Sequence, residues 1–171
     1  MVPTKPFRRR KYDNLSQFRA ELAYLLRNRK NLRHALKGET ISGAFRQRLM
    51  LVVTSVNRCR YCAAYHSQVS LVAGLTHPEI AELLEGTIED CPSEEIPALL
   101  YARQWAENNS YPDKEAYDEL AGIYGVEKAE LIELALKTIR VGNLSGNTFD
   151  YLLCRLSRGL WGCPELRQKS A

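Results

Sequence analysis

The chain has 171 residues, of which 45% are hydrophobic and 26% are charged, and its formal net charge is +4. This length suits one domain with a core of its own, and the composition is typical of a soluble globular protein. The mild charge, with no aromatic residues interleaved among the basic ones and no nucleic-acid-binding motif, argues against an RNA or DNA partner.

The apolar residues form no stretch that approaches the roughly 18 uninterrupted residues of a transmembrane helix. Basic residues near the N-terminus have no apolar run behind them, so we expect no secretory signal, no membrane partner and a cytoplasmic location. The five cysteines are an odd number. In a chain of this size a disulfide framework is not expected, and a Cys-x-x-Cys pair indicates redox or metal chemistry.

Residues 1–12 contain the basic cluster Arg8–Lys11 and are predicted to form an N-terminal arm. We expect the arm to be solvated, or ordered only against a partner subunit. Residues 13–171 are predicted to form a single all-helical domain. Apolar residues recur at helical spacing from Leu15 onwards, which predicts an amphipathic helix that ends near Lys37-Gly38.

A second helix is predicted from Gly43 to Val56, with Ser42 as its N-cap. Its second half is apolar on all sides, which indicates a buried helix. A third helix is predicted from Cys59 to Ala73. Caps and periodicity predict further helices over 76–84, 93–107, 113–125, 127–141 and 148–160. No segment has the pattern of a strand, so the predicted fold class is all-α, a compact bundle of seven or eight helices.

Between the last two predicted helices, residues 142–147 interrupt the helical periodicity. Gly142 and Gly146 are four residues apart, a spacing that either permits close helix–helix approach or marks a break between helices. We interpret the segment as a capped junction. The alternative is that it lines a pocket beside the cysteines.

Cys59, Cys62 and His66 occupy positions i, i+3 and i+7 of the third predicted helix and therefore share one face of it. Both cysteines fall in the first turn, where the helix dipole stabilises a thiolate, and Arg58 and Arg60 add positive charge. His66, one turn after Cys62, is placed to accept its proton. The pattern indicates a redox-active dithiol.

Zinc binding and a purely structural role are the alternatives. The two thiolates and His66 supply three ligands, whereas Zn²⁺ takes four, and no second Cys/His pair in the sequence supplies the fourth. Cys91, Cys154 and Cys163 are single and far apart in the sequence. We therefore expect neither a metal nor another cofactor. A chance pairing of buried cysteines with a histidine stays open.

The segment from Ser42 to Leu84 resembles the alkylhydroperoxidase D core of the carboxymuconolactone decarboxylase superfamily. The resemblance rests on a buried helix followed by Asn-x-Cys-x-Tyr-Cys, then Ala-x-x-His, then Gly-Leu-Thr. It continues more weakly as far as Leu156. It implies an all-α fold that assembles as a homo-oligomer, a trimer or a hexamer.

The resemblance also implies roles for the site residues. In the family's peroxidase members the second cysteine attacks the peroxide, which corresponds to Cys62. The first cysteine, here Cys59, protonates the leaving group and resolves the sulfenic acid to a disulfide, chemistry that suits a neighbouring pair of thiols. The histidine, here His66, belongs to a proton relay. The implied partners are a peroxide substrate and an external thiol that restores the dithiol.

One residue departs from the family pattern. The peroxidase relay includes a glutamate twelve residues before the first cysteine, and this chain has Gln47 there. Glutamine forms hydrogen bonds but cannot act as a base. Either His66 activates Cys62 alone, or another carboxylate such as Glu39 or Asp150 takes the role, or the peroxidase activity is weak.

Two other functions follow from the same sequence. A decarboxylase acting on a small lactone acid is the family's other named activity, but that chemistry does not call for a Cys-x-x-Cys pair. A non-catalytic, redox-sensing oligomer would use the dithiol only as a switch, and Gln47 keeps that hypothesis open.

Overall fold

The segments with helical periodicity in the sequence are α-helices in the structure. The computed structural model describes residues 7–37, 40–111 and 113–163, so the first six residues of the predicted arm and Gly38 lie outside it. The described residues contain eight α-helices and no strand, which confirms the all-α prediction. None of these helices combines the length and apolarity that a membrane crossing requires. The helices are α1 (Leu15–Arg27), α2 (Arg29–Lys37), α3 (Gly43–Asn57), α4 (Arg60–Val72), α5 (His77–Glu85), α6 (Ile96–Glu107), α7 (Lys114–Tyr124) and α8 (Val126–Leu156).

Helix α3 lies at the centre of the fold. Ser42 is its N-cap, as predicted, and its Oγ accepts a hydrogen bond of 3.1 Å from the backbone N–H of Phe45. The helix packs against α4, α5, α6 and α8. Its buried residues are Phe45, Gln47, Leu49, Met50, Leu51, Val52, Val53, Thr54 and Asn57. The segment that is apolar on all sides thus supplies much of the hydrophobic core.

Helix α8 runs without a break over 31 residues. The predicted junction at residues 142–147 is therefore wrong. Asn143 and Asn147 are buried, and their side chains form hydrogen bonds to α3 instead of capping their own helix. The polar residues that resembled a helix end are contacts between two long helices.

The first predicted helix is two helices, separated at Asn28. The backbone N–H and the side-chain amide of Asn28 both donate to the carbonyl of Tyr24, at 3.1 and 2.9 Å. Asparagine side chains compete in this way with the helical hydrogen-bond ladder. The helix predicted over 93–107 also starts later than predicted, because α6 begins at Ile96.

A disulfide joins Cys154, in the last turns of α8, to Cys163, and their Cα atoms are 5.4 Å apart. The expectation that these two cysteines are single is therefore wrong. Gly159 and Gly162 both have positive φ values, which lets the chain fold back onto the helix within nine residues. The free cysteines of the described chain are Cys59, Cys62 and Cys91.

Replacement of Leu51 by Ala tests the central position of α3. Leu51 has 0% of its surface exposed, so the substitution should lower the free energy of unfolding by about 2–5 kcal/mol. Urea denaturation followed by circular dichroism measures it. Leu100→Ala is the matched control, because Leu100 is 51% exposed. Equal losses in the two variants would contradict a core centred on α3.

Candidate redox site

The two motif cysteines lie where α3 ends and α4 begins. Arg58 adopts the left-handed conformation, with φ of 55°, and turns the chain from one helix into the next. Cys59 is the N-cap of α4, and its sulfur accepts a hydrogen bond of 3.5 Å from the backbone N–H of Cys62. A Cys-x-x-Cys at the N-terminus of a core helix is thus confirmed.

The two sulfurs differ in exposure and in charge. Cys59 has 0% of its surface exposed, whereas Cys62 is partly exposed. The hydrogen bond from the Cys62 thiol lowers the pKa of Cys59 to about 7, against burial, and the N–H groups of the first turn contribute. The same sulfur–sulfur hydrogen bond, together with burial, raises the pKa of Cys62. Cys59 is therefore the more acidic of the two thiols, and the singly ionised pair carries its negative charge there.

Cys62 and His66 line the same cavity, which has a volume of about 470 Å³. None of its described lining residues carries a formal charge at neutral pH, so the cavity is suited to an uncharged, largely apolar molecule. Cys59 is not part of its wall. The other lining residues are Leu36, Met50, Tyr61, Tyr65, Thr138, Ile139 and Gly142.

Gln47 on α3 fixes the orientation of the His66 ring. Nδ1 of His66 lies 2.8 Å from Oε1 of Gln47. Because an amide oxygen only accepts hydrogen bonds, Nδ1 carries the proton and Nε2 keeps a lone pair. Burial lowers the pKa of His66 to about 4, so the ring is neutral at neutral pH. Gln47 selects the tautomer but offers no charge to stabilise an imidazolium.

The two glycines of α8 allow this helix to lie directly against the dithiol. A Cβ at Gly146 would lie 2.8 Å from Sγ of Cys59 and 3.1 Å from Cδ2 of Tyr61. A Cβ at Gly142 would lie 3.6 Å from Sγ of Cys62, an ordinary contact distance. The second interpretation of residues 142–147, a segment beside the cysteines, is therefore the correct one.

Buried amides connect α8 to α3 beneath the cysteines. Asn143 donates to Oγ1 of Thr54 and accepts from Nδ2 of Asn57, both at 3.1 Å. A further hydrogen bond from its side chain favours the thiolate form of Cys62 and so opposes the rise in pKa of that thiol. Asn147 donates to the backbone carbonyl of Asn57 at 2.7 Å. These bonds satisfy polar groups that would be costly to bury alone.

Asp150, one turn further along α8, is a buried acceptor for three donors. Nη1 of Arg9, Nη2 of Arg60 and Oη of Tyr61 each lie 2.7 Å from its carboxylate. Burial opposes ionisation, but the hydrogen bonds from Tyr61, Arg9 and Arg60 hold the pKa of Asp150 below its ordinary value. The carboxylate is therefore ionised, and it binds the two residues that follow Cys59 as well as Arg9.

Two carboxylates are suggested by the sequence as substitutes for the one absent at Gln47. Asp150 binds the two arginines and the tyrosine just described, and Glu39 lies outside the described residues. Among the described residues, no group of three or more His, Cys, Asp or Glu side chains is close enough to hold a metal ion.

Arg9 is the site residue that the sequence analysis missed. Its side chain donates to Asp150 and to the backbone carbonyl of Gly162, the latter at 2.8 Å, and the residue is only 8% exposed. The prediction of a solvated arm is therefore wrong at Arg9, because an ionised carboxylate inside the fold needs a cationic partner. The sequence contains one signal for this ion pair. It combines the basic cluster Arg8–Lys11 near the N-terminus with the acidic Asp150 in the last helix.

The model of the carboxymuconolactone decarboxylase family matches residues 23–108, which is half of the chain. The chain belongs to the carboxymuconolactone decarboxylase family. This family includes alkylhydroperoxidase D-like peroxidases as well as carboxymuconolactone decarboxylases. The match covers Gln47, Cys59, Cys62 and His66 but ends before α8. A search of curated proteins and a search of solved structures each found no match.

Replacement of Gly146 by Ala tests the close approach of α8 to the dithiol in this family member. The new methyl group would meet the Cys59 sulfur, so the free energy of unfolding should fall by about 1–3 kcal/mol. Thermal and urea unfolding measure this effect.

Gly142→Ala is the matched control, because it adds the same methyl group one turn away at an ordinary contact distance. Its stability should be unchanged, or raised by up to about 1 kcal/mol through better helix propensity. A Gly146→Ala variant as stable as this control would contradict the close packing.

Proposed function

We propose that the protein is a thiol-dependent peroxidase, a disulfide oxidoreductase with an antioxidant role that uses the Cys59–Cys62 dithiol. The observation that carries this function is the division of labour within the pair. Cys62 lines a cavity that a substrate can enter, whereas Cys59 is buried behind it, accepts the backbone N–H of Cys62 and is the more acidic thiol. A peroxidase needs one accessible sulfur to attack and a second one in contact to close the disulfide.

The first step activates Cys62. Transfer of the Cys62 proton to Cys59, along the hydrogen bond between the sulfurs, leaves Cys62 as the thiolate. The Asn143 amide stabilises that charge by a hydrogen bond. The thiolate then attacks the terminal oxygen of the hydroperoxide. The O–O bond breaks, Cys62 becomes a sulfenic acid, and the leaving alkoxide takes the proton from Cys59.

The second step closes the disulfide. Cys59, again a thiolate, attacks the sulfur of the Cys62 sulfenic acid and displaces hydroxide, which becomes water. The dithiol has lost two electrons and the hydroperoxide has gained two, yielding one alcohol and one water. Two external thiols, or one dithiol, then reduce the Cys59–Cys62 disulfide by exchange.

His66 acts as a neutral hydrogen-bond acceptor on the wall of the cavity. With Nδ1–H donated to Gln47, its Nε2 lone pair is available to a proton in transit between the substrate and the sulfurs. A ring with a pKa of about 4 does not hold the proton at neutral pH. The charged base of the resting site is therefore Cys59, and Gln47 is a positioning residue.

Replacement of Cys62 by Ser should abolish hydroperoxide turnover, because no accessible sulfur remains to attack. In the absence of external thiol, Cys59→Ser should consume one equivalent of hydroperoxide per chain, more slowly than the wild type because the base is lost, and should stop at the Cys62 sulfenic acid without forming the disulfide. A coupled assay with cumene hydroperoxide and dithiothreitol measures turnover, and mass spectrometry measures the sulfur states.

Cys91→Ser is the matched control for these variants, because Cys91 is also a free cysteine but lies outside the cavity. Its turnover should equal that of the wild type. Undiminished turnover in Cys62→Ser would rule out the proposed function.

Replacement of Gln47 by Glu should raise the pKa of His66. A carboxylate 2.8 Å from Nδ1 would stabilise the imidazolium, and one charge partner at this distance shifts a pKa by about 1–3 units. The rate of reaction with hydroperoxide near pH 6 should rise, since the ring then holds and returns a proton. NMR titration of the His66 ring and stopped-flow kinetics measure the two effects.

Gln68→Glu makes the same change on the exposed face of α4 and should alter neither quantity. A His66 pKa that stays near 4 in Gln47→Glu would show that position 47 does not govern the ring.

Homo-oligomer formation, as a trimer or hexamer, and a cytoplasmic location remain predictions. Exposed apolar side chains on the last turns of α8, at Phe149, Leu152 and Leu156, support an oligomer. Light scattering on the purified protein distinguishes it from a monomer.

A further inference from the structure

The segment that follows α8 is fastened to the helix at two points. The Cys154–Cys163 disulfide ties its end to the last turns of α8. Gly162, next to Cys163, has φ of 76° and lies so close to α8 that a Cβ there would overlap the backbone carbonyl of Asp150. The disulfide therefore holds the carbonyl group of Gly162 at a defined place beside Asp150.

Arg9 lies between this segment and α8. Nη2 donates to the Gly162 carbonyl at 2.8 Å, while Nη1 donates to Oδ2 of Asp150 at 2.7 Å. The Arg9 side chain is 5% exposed and that of Asp150 is 0% exposed. Nη1 also lies 3.5 Å from Oδ1 of Asn147. Acceptors on α8 and on the segment that follows it thus define the position of a buried guanidinium together.

The position of Arg9 matters to the dithiol through Asp150, whose carboxylate joins Arg9 to Arg60 and Tyr61, the two residues that follow Cys59. The guanidinium also contributes to the lowered pKa of Cys59, although less than the hydrogen bonds from the Cys62 thiol and from the backbone do. The other charged or titratable groups of this cluster are Asp150, Arg60 and Tyr61, which the Asp150 carboxylate holds together. A displaced Arg9 would leave the negative charge of Asp150 less compensated beside the buried sulfur.

We propose that Arg9 is a positioning residue for the dithiol, and that the Cys154–Cys163 disulfide is a second redox centre that locks Arg9 in place. Because this role rests on the proposed dithiol function, it makes the first cysteine pair sensitive to the oxidation state of the second. When the disulfide is closed, the Gly162 carbonyl holds Arg9 beside Asp150, and Cys59 remains the more acidic thiol. With the disulfide open, the Gly162 carbonyl is released and Cys59 becomes a weaker acid.

The opening reaction needs an external thiol. One thiolate attacks a sulfur of the Cys154–Cys163 disulfide and releases the other as a thiolate. A second external thiol then displaces the first from the mixed disulfide, which leaves two cysteine thiols and one external disulfide. A dithiol reductant such as the one proposed to regenerate Cys62 supplies both equivalents.

The test is a pH titration of the thiolate absorbance at 240 nm in protein with Cys59 and Cys62 reduced. Peptide mass mapping establishes the state of Cys154 and Cys163 in each sample. Arg9→Gln should raise the midpoint of the titration by about one pH unit. At a pH well below the midpoint, the variant then contains about tenfold less thiolate than the wild type. The double variant Cys154→Ser/Cys163→Ser should shift it in the same direction. When the double variant is combined with Arg9→Gln, the midpoint should shift no further, because the two changes remove the same interaction.

Two controls separate positioning from general destabilisation. Arg9→Lys keeps the charge and should restore most of the wild-type midpoint. Arg8→Gln removes the neighbouring, exposed charge and should leave the midpoint unchanged. If Arg9→Gln does not fold, the midpoint of Cys154→Ser/Cys163→Ser compared with that of the wild type decides the question, because this variant opens the disulfide without adding a thiol that absorbs at 240 nm.

An Arg9→Gln midpoint equal to that of the wild type would overturn the positioning role. A shift from disulfide loss that is as large in Arg9→Gln as in the wild type would overturn the lock. The titration uses no peroxide, so absence of peroxidase activity in the wild type would refute the proposed function and leave this result standing.

Discussion

The site depends on one constraint, which is that the Cys59 sulfur ionises near neutral pH although it has no access to water. A buried charge is costly unless hydrogen bonds and opposite charges surround it. Cys59 meets this condition by its place at the N-cap of α4, where it receives a backbone N–H and the Cys62 thiol. The N-terminal end of the helix adds its dipole. In the proposed mechanism, Cys62 can then remain protonated until a substrate enters the cavity.

The long helix α8 contributes to the dithiol site at several points along its length, by close packing and by hydrogen bonds. Gly146 and Gly142 let the helix lie against the two sulfurs, Asn143 bonds to Cys62, and Asp150 collects the donors that flank Cys59. A helix with so many polar groups on its buried side is stable only if each of them is paired. The contacts to α3 and to Arg9 provide that pairing.

The sequence predicts those features that depend on neighbouring residues. The N-cap at Ser42, the buried helix α3 and the cysteines at the start of α4 were all predictable, because caps, periodicity and motif spacing are local signals. The continuity of α8 was not, since glycine and asparagine occur both at helix ends and at close helix contacts. Only the position of α3 and α4 against α8 shows that residues 142–147 form a close helix contact and not a helix end.

The partners of Asp150 were beyond sequence reasoning for a different reason. Arg9 and Asp150 are separated by most of the chain, and a single sequence gives no pairing between distant residues. The Cys154–Cys163 disulfide depends on a reversal of the chain after α8, which needs the positive φ of its glycines and cannot be read from cysteine count.

The most direct test of the account is the product balance of a single turnover by the wild-type protein. Protein with Cys59 and Cys62 reduced and the Cys154–Cys163 disulfide intact is mixed with one equivalent of cumene hydroperoxide in the absence of external thiol, and the alcohol and the disulfides are quantified together. The account predicts one alcohol per chain and a new disulfide between Cys59 and Cys62. Hydroperoxide that remains unconsumed while both cysteines stay reduced would contradict it.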